Sequence, residues 1–336
     1  MITEALKELS NGKNIGYELT KSAMREIAQG EVTEAQIAAF LTALKLKGET
    51  VEEITAAAEV MREKCIKTEL GTYNTLDIVG TGGDMSNSFN ISTASAFVAA
   101  ACGIPVAKHG NRARTSKSGS LDVLEALGIN VNKTPDEEKH IFSELNLCFM
   151  SAQNHHPSMK YAGKVRKELK FRTLFNILGP LTNPACASSQ LFGVYDEKLV
   201  EVLAKVISDL GIKNVLVVHG KDGIDEVSLS DETIVSEGRN GKINTYIIKP
   251  EDFGFIRCKK SEIEGGTAEE NAQIIRNIFS GKEIGAKRDI VVLNSALAIY
   301  TYKRATSIKD AVFLASKIIE SGLAADKLNR YIEISK

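Results

Sequence analysis

The chain has 336 residues, of which 43% are hydrophobic and 25% charged, with a formal net charge of -1. That length suits two domains, or one large domain with a satellite, and the balanced charge supplies no global field to gather nucleic acid. No apolar run approaches the roughly 20 residues a membrane helix needs, and the polar start MITEALKELSNGKN has no signal-peptide core. Five scattered cysteines (Cys65, Cys102, Cys148, Cys186, Cys258) without CxxC spacing fit reduced thiols in a cytoplasmic protein.

Residues 1 to 70 read as helical throughout. Ile37, Phe40, Leu41 and Leu44 follow the spacing of one buried helix face. Thr33 with Gln36, and Thr50 with Glu53, have capping-box spacing, and Gly48 supplies a stop. This segment holds no histidine and no glycine-rich loop, so it is expected to serve packing or dimerisation.

From residue 76 short apolar runs alternate with helical stretches, the pattern of an α/β sheet. Strands are predicted at 76–79, 104–107, 129–131, 147–151, 214–219 and 243–248, with helices at 92–102, 118–127, 136–145 and 197–210. Phe171 to Leu178 reads as a short helix closed by Gly179-Pro180, with Pro184 beyond it, a break that could lead back to the helical domain. After Thr267-Ala268-Glu269-Glu270, another capping box, the chain reads as mostly helical. The expected fold is α/β: a small amino-terminal helical domain over 1–70, joined by helices near 165–185, and a larger α/β domain over 71–336 with a central, mostly parallel sheet.

The stretch richest in chemistry is Gly80-Thr81-Gly82-Gly83-Asp84, between an apolar strand and a helix. Glycines there let backbone N–H groups close around an anion, which the following helix dipole favours. The third glycine of the dinucleotide fingerprint is missing, and so is the Gly-Lys-Ser/Thr that ends a P-loop. A ligand-free tight turn would account for the glycines. It would not account for Asp84, Asn90, Ser92 and Thr93 together, since capping needs one or two such residues. The next strand delivers Lys108, His109, Asn111, Arg112, Arg114, Thr115, Ser116, Lys117, Ser118 and Ser120. Charge runs are usually solvated, but a strand's carboxyl end is where α/β sheets bind ligands, and these groups suit phosphate.

These segments resemble one family. Asp77 to Asp84 (DIVGTGGD), Asn90 to Thr93 (NIST), Lys108 to Asn111 (KHGN) and Ser116 to Asp122 (SKSGSLD) look like the anthranilate phosphoribosyltransferases, which join anthranilate to phosphoribosyl pyrophosphate in tryptophan biosynthesis. Gln153 to Pro157 (QNHHP), Val165 to Glu168 (VRKE), Arg172 to Pro184 (RTLFNILGPLTNP) and Gly223 to Ser228 (GIDEVS) agree in order and spacing. Arg114 and Thr115 depart from the family's usual small or apolar residue and serine, Leu121 from alanine, and Ser88 from threonine.

The resemblance implies that Gly80, Gly83, Asp84, Ser88, Asn90, Ser92, Thr93, Lys108 and Ser120 contact the donor. The run Lys108, His109, Gly110, Asn111, Arg112, Ala113, Arg114, Thr115 and Ser116 would wrap it. It implies that Gly80, Asn111 and Arg166 hold anthranilate, with His109, His156 and Pro180 lining its route. Read alone, Arg166 sits among Lys164, Lys167 and Glu168 as on a solvated helix face, yet its fork suits a carboxylate better than lysine would. Asp225 and Glu226, read alone, are a solvated pair; the resemblance makes them, with Ser92, ligands of Mg²⁺, two ions per subunit. It also implies a homodimer, and no general base is assigned. His155, His156 and His219 lack zinc-site spacing.

Two rivals remain at this point. A pyrimidine nucleoside phosphorylase would share the helical domain, the sheet and Lys-His-Gly, with Gln153 to Pro184 as the discriminating stretch. A non-catalytic relative could bind nucleic acid through the basic loop; the balanced charge and the Asp225-Glu226 pair speak against it.

Overall fold

A computed structural model of the chain describes residues 1–71, 74–113, 117–239 and 241–336. Four helices come first: α1 (Ile2–Ser10), α2 (Gly16–Gln29), α3 (Glu34–Lys47) and α4 (Val51–Glu63). Both expected capping boxes form. Thr33 accepts from Gln36 N–H while Gln36 accepts from Thr33 N–H, and Thr50 and Glu53 do the same. Glu53 also accepts from Ile15 N–H at 2.9 Å and from Lys47 at 2.8 Å, so this fully buried carboxylate has partners on both oxygens. Gly48, at φ +87°, ends α3.

The α/β part follows with β1 (Leu76–Gly80), α5 (Ile91–Ala101), β2 (Val106–Gly110), α6 (Ser120–Ala126), α7 (Pro135–Leu145), β3 (Leu147–Ser151), α8 (Ala152–His155), α9 (Lys160–Leu169), α10 (Leu174–Leu178), β4 (Ser189–Gly193), α11 (Leu199–Asp209), β5 (Asn214–Gly220), β6 (Thr233–Arg239) and β7 (Lys242–Ile248). Four helices close the chain: α12 (Ala268–Phe279), α13 (Ala286–Thr301), α14 (Ile308–Glu320) and α15 (Leu323–Ile334). The seven strands run in the order β3-β2-β1-β4-β5-β6-β7, parallel from β3 to β5 and antiparallel at β6 and β7.

Alternation along the strands divides the core by sheet face. Leu76, Ile78, Val106, Leu147, Phe149, Leu191, Leu216 and Val218 pack with residues of α5, α6, α7 and α12 to α15. Phe192, Val215 and Val217 belong to a second core with α11, α9, α10 and the four amino-terminal helices. α9 packs on α2 and α3, and α10 on α3 and α4. Arg62 of α4 ties the two parts by donating to the carbonyls of Leu181 at 2.7 Å and Leu210 at 3.1 Å.

One expected strand is absent and two strands were not expected. Residues 129–131 form no strand, although Ile129 and Val131 are buried and Asn130 exposed as a strand would have them. Asn130 N–H donates to the Ser335 hydroxyl, far along the chain, and Asn132 N–H to the Asn130 side chain, so these backbone donors are satisfied by side chains rather than by a ladder. β4 and β6 were not anticipated. β4 begins on the buried polar pair Ser189-Gln190, and β6 (TIVSEGR) mixes charge with glycine, so neither shows an apolar run.

Candidate active site

The order of the sheet locates the crevice. The chain runs from β1 through β2 to β3 on one side, then returns to place β4 on the other side of β1. Strand order reverses between β1 and β4, and such a reversal opens a ligand crevice at the strands' carboxyl ends. The glycine turn leaves β1 there, with Gly82 at φ +67° and Gly83 at φ +71°, backbone that non-glycine residues rarely adopt.

The loop after β5 carries Asp225 and Glu226 onto this turn. Asp225 Oδ2 accepts from Gly82 N–H at 2.6 Å, and Asp225 N–H donates to Asp84 at 3.2 Å. A Cβ on Gly193, at the end of β4, would stand 1.6 Å from the Asp225 carbonyl oxygen, so the approach needs glycine. One on Gly80 would stand 2.5 Å from Asp225 Oδ2. Glu226 accepts from Ser92 N–H at 3.2 Å, at the start of α5. Lys108 is buried between these groups, donating to the Ile78 carbonyl and to Ser92 Oγ.

The electrostatics are those of acids crowded out of water. Burial, then the charges of Asp84 and Glu226, raise Asp225 well above the usual carboxylate range. Burial pushes Glu226 up to about 7; Lys108 opposes this and Asp84 adds to it. Burial also lowers Lys108, against the pull of Asp77, Glu226 and Asp225. Asp77, on β1 beneath them, is pushed by burial up to about 6, with Lys108 opposing. Buried carboxylates that repel one another beside the Ser92 hydroxyl fit a hard divalent cation with oxygen ligands. Among the described residues no three His, Cys, Asp or Glu side chains form a ready-made metal cage.

The cationic loop closes against the same turn. Thr93 and Ser120 share a hydroxyl hydrogen bond at 2.9 Å, and Asn90 Nδ2 donates to the Ser118 carbonyl at 3.3 Å. Asp122 accepts from Ala113 N–H and Gly119 N–H, each at 2.8 Å. A Cβ on Gly119 would meet Ala113 N at 2.3 Å, and one on Gly110 would meet Ser120 at 3.1 Å. Asn111 is exposed beside β2, its Oδ1 accepting from Arg112 N–H. Arg112 turns away from the glycine turn: Glu125 grips its guanidinium at 2.5 and 2.6 Å, and Asp122 adds a contact at 3.2 Å. Ser88 lies farther along the turn, in a bridge to Glu264. Arg114, Thr115 and Ser116 lie outside the described residues.

On the second-core side, the rings of His109 and His156 stand 5.0 Å apart. His109 Nδ1 meets the Gly179 carbonyl at 3.2 Å, next to buried Pro180, and His156 Nε2 meets Thr182 Oγ1 at 3.5 Å. Burial and neighbouring histidines lower His109 well below the ordinary value, and burial lowers His156 to about 4. Both rings are therefore neutral at pH 7. His109 Nε2 and His156 Nδ1 are buried without a hydrogen-bond partner among the described residues. Arg166, half-buried while Lys164, Lys167 and Glu168 are exposed, stacks over Phe175 with its Cζ 5.3 Å from the ring centre.

Sequence reasoning passed over several groups at this site. Arg172 stacks on Tyr195 at 3.9 Å and donates to the Gly83 carbonyl. His155 and Glu138 form a buried ion pair at 2.9 Å behind His156. Gly265 N–H donates to the Asn87 carbonyl at 2.8 Å. In the sequence Arg172 and His155 showed only as members of the motifs Arg172–Pro184 and Gln153–Pro157, His155 also as one of three histidines without zinc-site spacing, and Glu138 and Gly265 gave no signal.

Comparison with known proteins places the whole chain. Residues 3–65 match the helical bundle domain of a glycosyl transferase family, and residues 72–325 match that family's a/b domain. An anthranilate phosphoribosyltransferase of Endomicrobium trichonymphae is 52% identical over 335 residues, 100% of this chain and 99% of the relative. One from Methanobrevibacter smithii is 53% identical, covering 99% of each. The crystal structure of the Thermus thermophilus anthranilate phosphoribosyltransferase superposes with a TM-score of 0.93 at 40% identity, covering 98% of this chain and 99% of that one. The Saccharomyces cerevisiae enzyme in complex with PRPP and Mg superposes at 0.90 with 28% identity, covering 99% and 97%.

Proposed function

This chain belongs to the anthranilate phosphoribosyltransferase family, and from that premise we propose that it transfers the phosphoribosyl group of phosphoribosyl pyrophosphate to the amine of anthranilate. The C1–O bond to pyrophosphate breaks, the C1–N bond forms, and the amine gives up one proton. A pyrimidine nucleoside phosphorylase finds no support among relatives at half identity over the full chain.

The observation that carries this reading is the docking of Asp225 and Glu226 onto the glycine turn and the start of α5, at 2.6 and 3.2 Å. Backbone N–H groups of the turn, Lys108, and the Ser88, Ser92, Thr93 and Ser120 hydroxyls would receive the donor's phosphates. Mg²⁺ held by Ser92, Asp225 and Glu226 would supply charge to stabilise pyrophosphate as it leaves. Two ions per subunit fit the divergence of the carboxylates, Asp225 towards Gly82 and Glu226 towards Ser92. Arg166 would bind the anthranilate carboxylate, with Gly80 and Asn111 at the same end and the neutral faces of His109 and His156 beside Pro180 along its route. The anthranilate amine is nucleophilic when neutral, so positioning suffices and no side chain is assigned as general base.

We also place the protein in the cytoplasm as a homodimer. All five cysteines are free, no helix among the described residues is long and apolar enough to cross a membrane, and Leu46 on the helical domain is 83% exposed. The test of the reaction is stoichiometry. Pyrophosphate release should equal anthranilate consumed, with N-(5-phosphoribosyl)anthranilate as the product by mass; pyrophosphate release without anthranilate would refute the transfer.

A further inference from the structure

Asn271, 2% exposed in the first turn of α12, takes no part in the chemistry described so far. The segment before it lies along the donor turn, through the Ser88–Glu264 bridge and the hydrogen bond from Gly265 N–H to the Asn87 carbonyl. A Cβ on Gly265 would stand 2.7 Å from Phe89 Cα and 2.5 Å from Asn271 Oδ1, so glycine is required for this approach. Helix α12 already has its cap in the Thr267–Glu270 box, so Asn271 is not needed for that purpose.

One backbone group fixes the orientation of the Asn271 amide. Gly266 N–H donates to the Asn271 side chain at 2.8 Å. A backbone N–H cannot accept, so the atom facing it is the amide oxygen, and the other arm of the Asn271 amide must donate. That arm meets Asn90 Oδ1 at 3.0 Å. Ser118 Oγ meets the same oxygen at 3.2 Å, and Asn90 Nδ2 donates to the Ser118 carbonyl at 3.3 Å. Asn90 stands at the N-cap of α5, yet its side chain makes no cap hydrogen bond there. Its oxygen is committed to protein donors, and what its amide retains for a ligand is an N–H.

We propose that Asn271 is a positioning residue for the donor site. It locks the Asn90 amide so that the donor turn and the end of the cationic loop offer hydrogen-bond donors, not an acceptor, to a phosphorylated ligand. This rests on the reading that these two segments form the donor half of the site. The relay Gly266–Asn271–Asn90–Ser118 joins three segments far apart in sequence, and an inverted amide at Asn90 would set a carbonyl oxygen against the anion.

Asn271→Asp tests this at nearly constant shape. The carboxylate still accepts from Gly266 N–H but cannot donate to Asn90 Oδ1, so two oxygens confront each other and the Asn90 amide turns over. The KM for phosphoribosyl pyrophosphate, and its Kd by calorimetry with Mg²⁺, should rise roughly tenfold, the scale of one hydrogen bond lost without replacement. The KM for anthranilate should stay within about twofold, because that substrate makes no contact with the relay. Asn271→Ala removes the donor without adding repulsion and should shift the same constants in the same direction by less; it decides the matter if the aspartate variant does not fold. Unchanged donor constants in a folded variant, or equal rises for both substrates accompanying a loss of urea resistance, would overturn the proposal. A wild-type protein that consumes no anthranilate would instead sink the functional reading, and this inference with it.

Discussion

Replacing His155 by alanine should cost the fold about 3–5 kcal/mol, the usual scale for breaking one side of a buried ion pair. His155 is 0% exposed and Glu138 1%. Both ring nitrogens are engaged: Nδ1 faces the Ile66 carbonyl at 2.6 Å, and Nε2 faces Glu138 Oε1 at 2.9 Å. A carbonyl and a carboxylate only accept, so both nitrogens donate and the ring is an imidazolium. The second oxygen of Glu138 accepts from Thr68 at 2.6 Å. The pair thus pins the segment after α4 to α7 and to the loop carrying His156. Alanine at 155 strands a buried carboxylate and a buried carbonyl together. Burial alone would lower the His155 pKa, but the Glu138 hydrogen bond and charge, with the Ile66 carbonyl, outweigh it and hold the value above 6.5. A raised folded-state pKa means that this stabilisation is fully present below about pH 6.5 and is lost as pH rises through the folded value. Urea unfolding of wild type and His155→Ala, compared from pH 6 to 9, should show the largest gap at pH 6 and a narrowing one above. Glu138→Gln, which leaves no buried charge, should cost less and flatten the dependence. A gap under about 1 kcal/mol at pH 6, or one that widens with pH, would refute the imidazolium.

Glu226→Gln should lower turnover at fixed Mg²⁺ by about 10²-fold or more. In the wild type, apparent Mg²⁺ affinity should rise as pH increases through about 7, where Glu226 gives up its proton; an affinity independent of pH between 6 and 8 would contradict the assignment. Because burial raises that carboxyl, its ionisation destabilises the metal-free fold between about pH 4.5 and 7. Metal-free Glu226→Gln should therefore unfold at higher urea than metal-free wild type at pH 8. Arg166→Lys should raise the KM for anthranilate about tenfold or more, the fork being lost, and leave the KM for the donor alone; equal effects on both substrates would remove Arg166 from the acceptor site. Gly193→Ala would drive a Cβ into the Asp225 carbonyl at 1.6 Å, so activity should fall at least as far as in Glu226→Gln, and near-normal kinetics would show that the Asp225 loop is not held by this approach.

Local signals reported local structure well. The boxes at Thr33, Thr50 and Thr267 all form, because each needs only four residues to satisfy its own N–H groups. The glycine turn was legible for the same reason: its left-handed residues lie within one short stretch. Strands were harder. Residues 129–131 carry a strand's burial pattern without a ladder, while β4 pairs on both edges and opens on buried Ser189 and Gln190. Strand pairing is decided by partners far away in sequence, which the pattern of one segment does not reveal. The site divides in the same way. Gly80 to Asp84, Lys108 and Asp225-Glu226 were visible as motifs, whereas the pairing of Arg112 with Glu125 and Asp122, the Glu138–His155 ion pair and the Asn271 relay exist only once loops converge.

Anthranilate is fluorescent and its ribosylated product can be followed as loss of that signal, so one measurement bears directly on the central claim. The purified chain is mixed with anthranilate, phosphoribosyl pyrophosphate and Mg²⁺, and the signal is followed with each component withheld in turn. The account predicts loss only when donor and Mg²⁺ are both present, and almost none for Asp225→Asn combined with Glu226→Gln. Signal that persists in the complete mixture, or phosphate-dependent release of a free pyrimidine base from a nucleoside by the same protein, would contradict it.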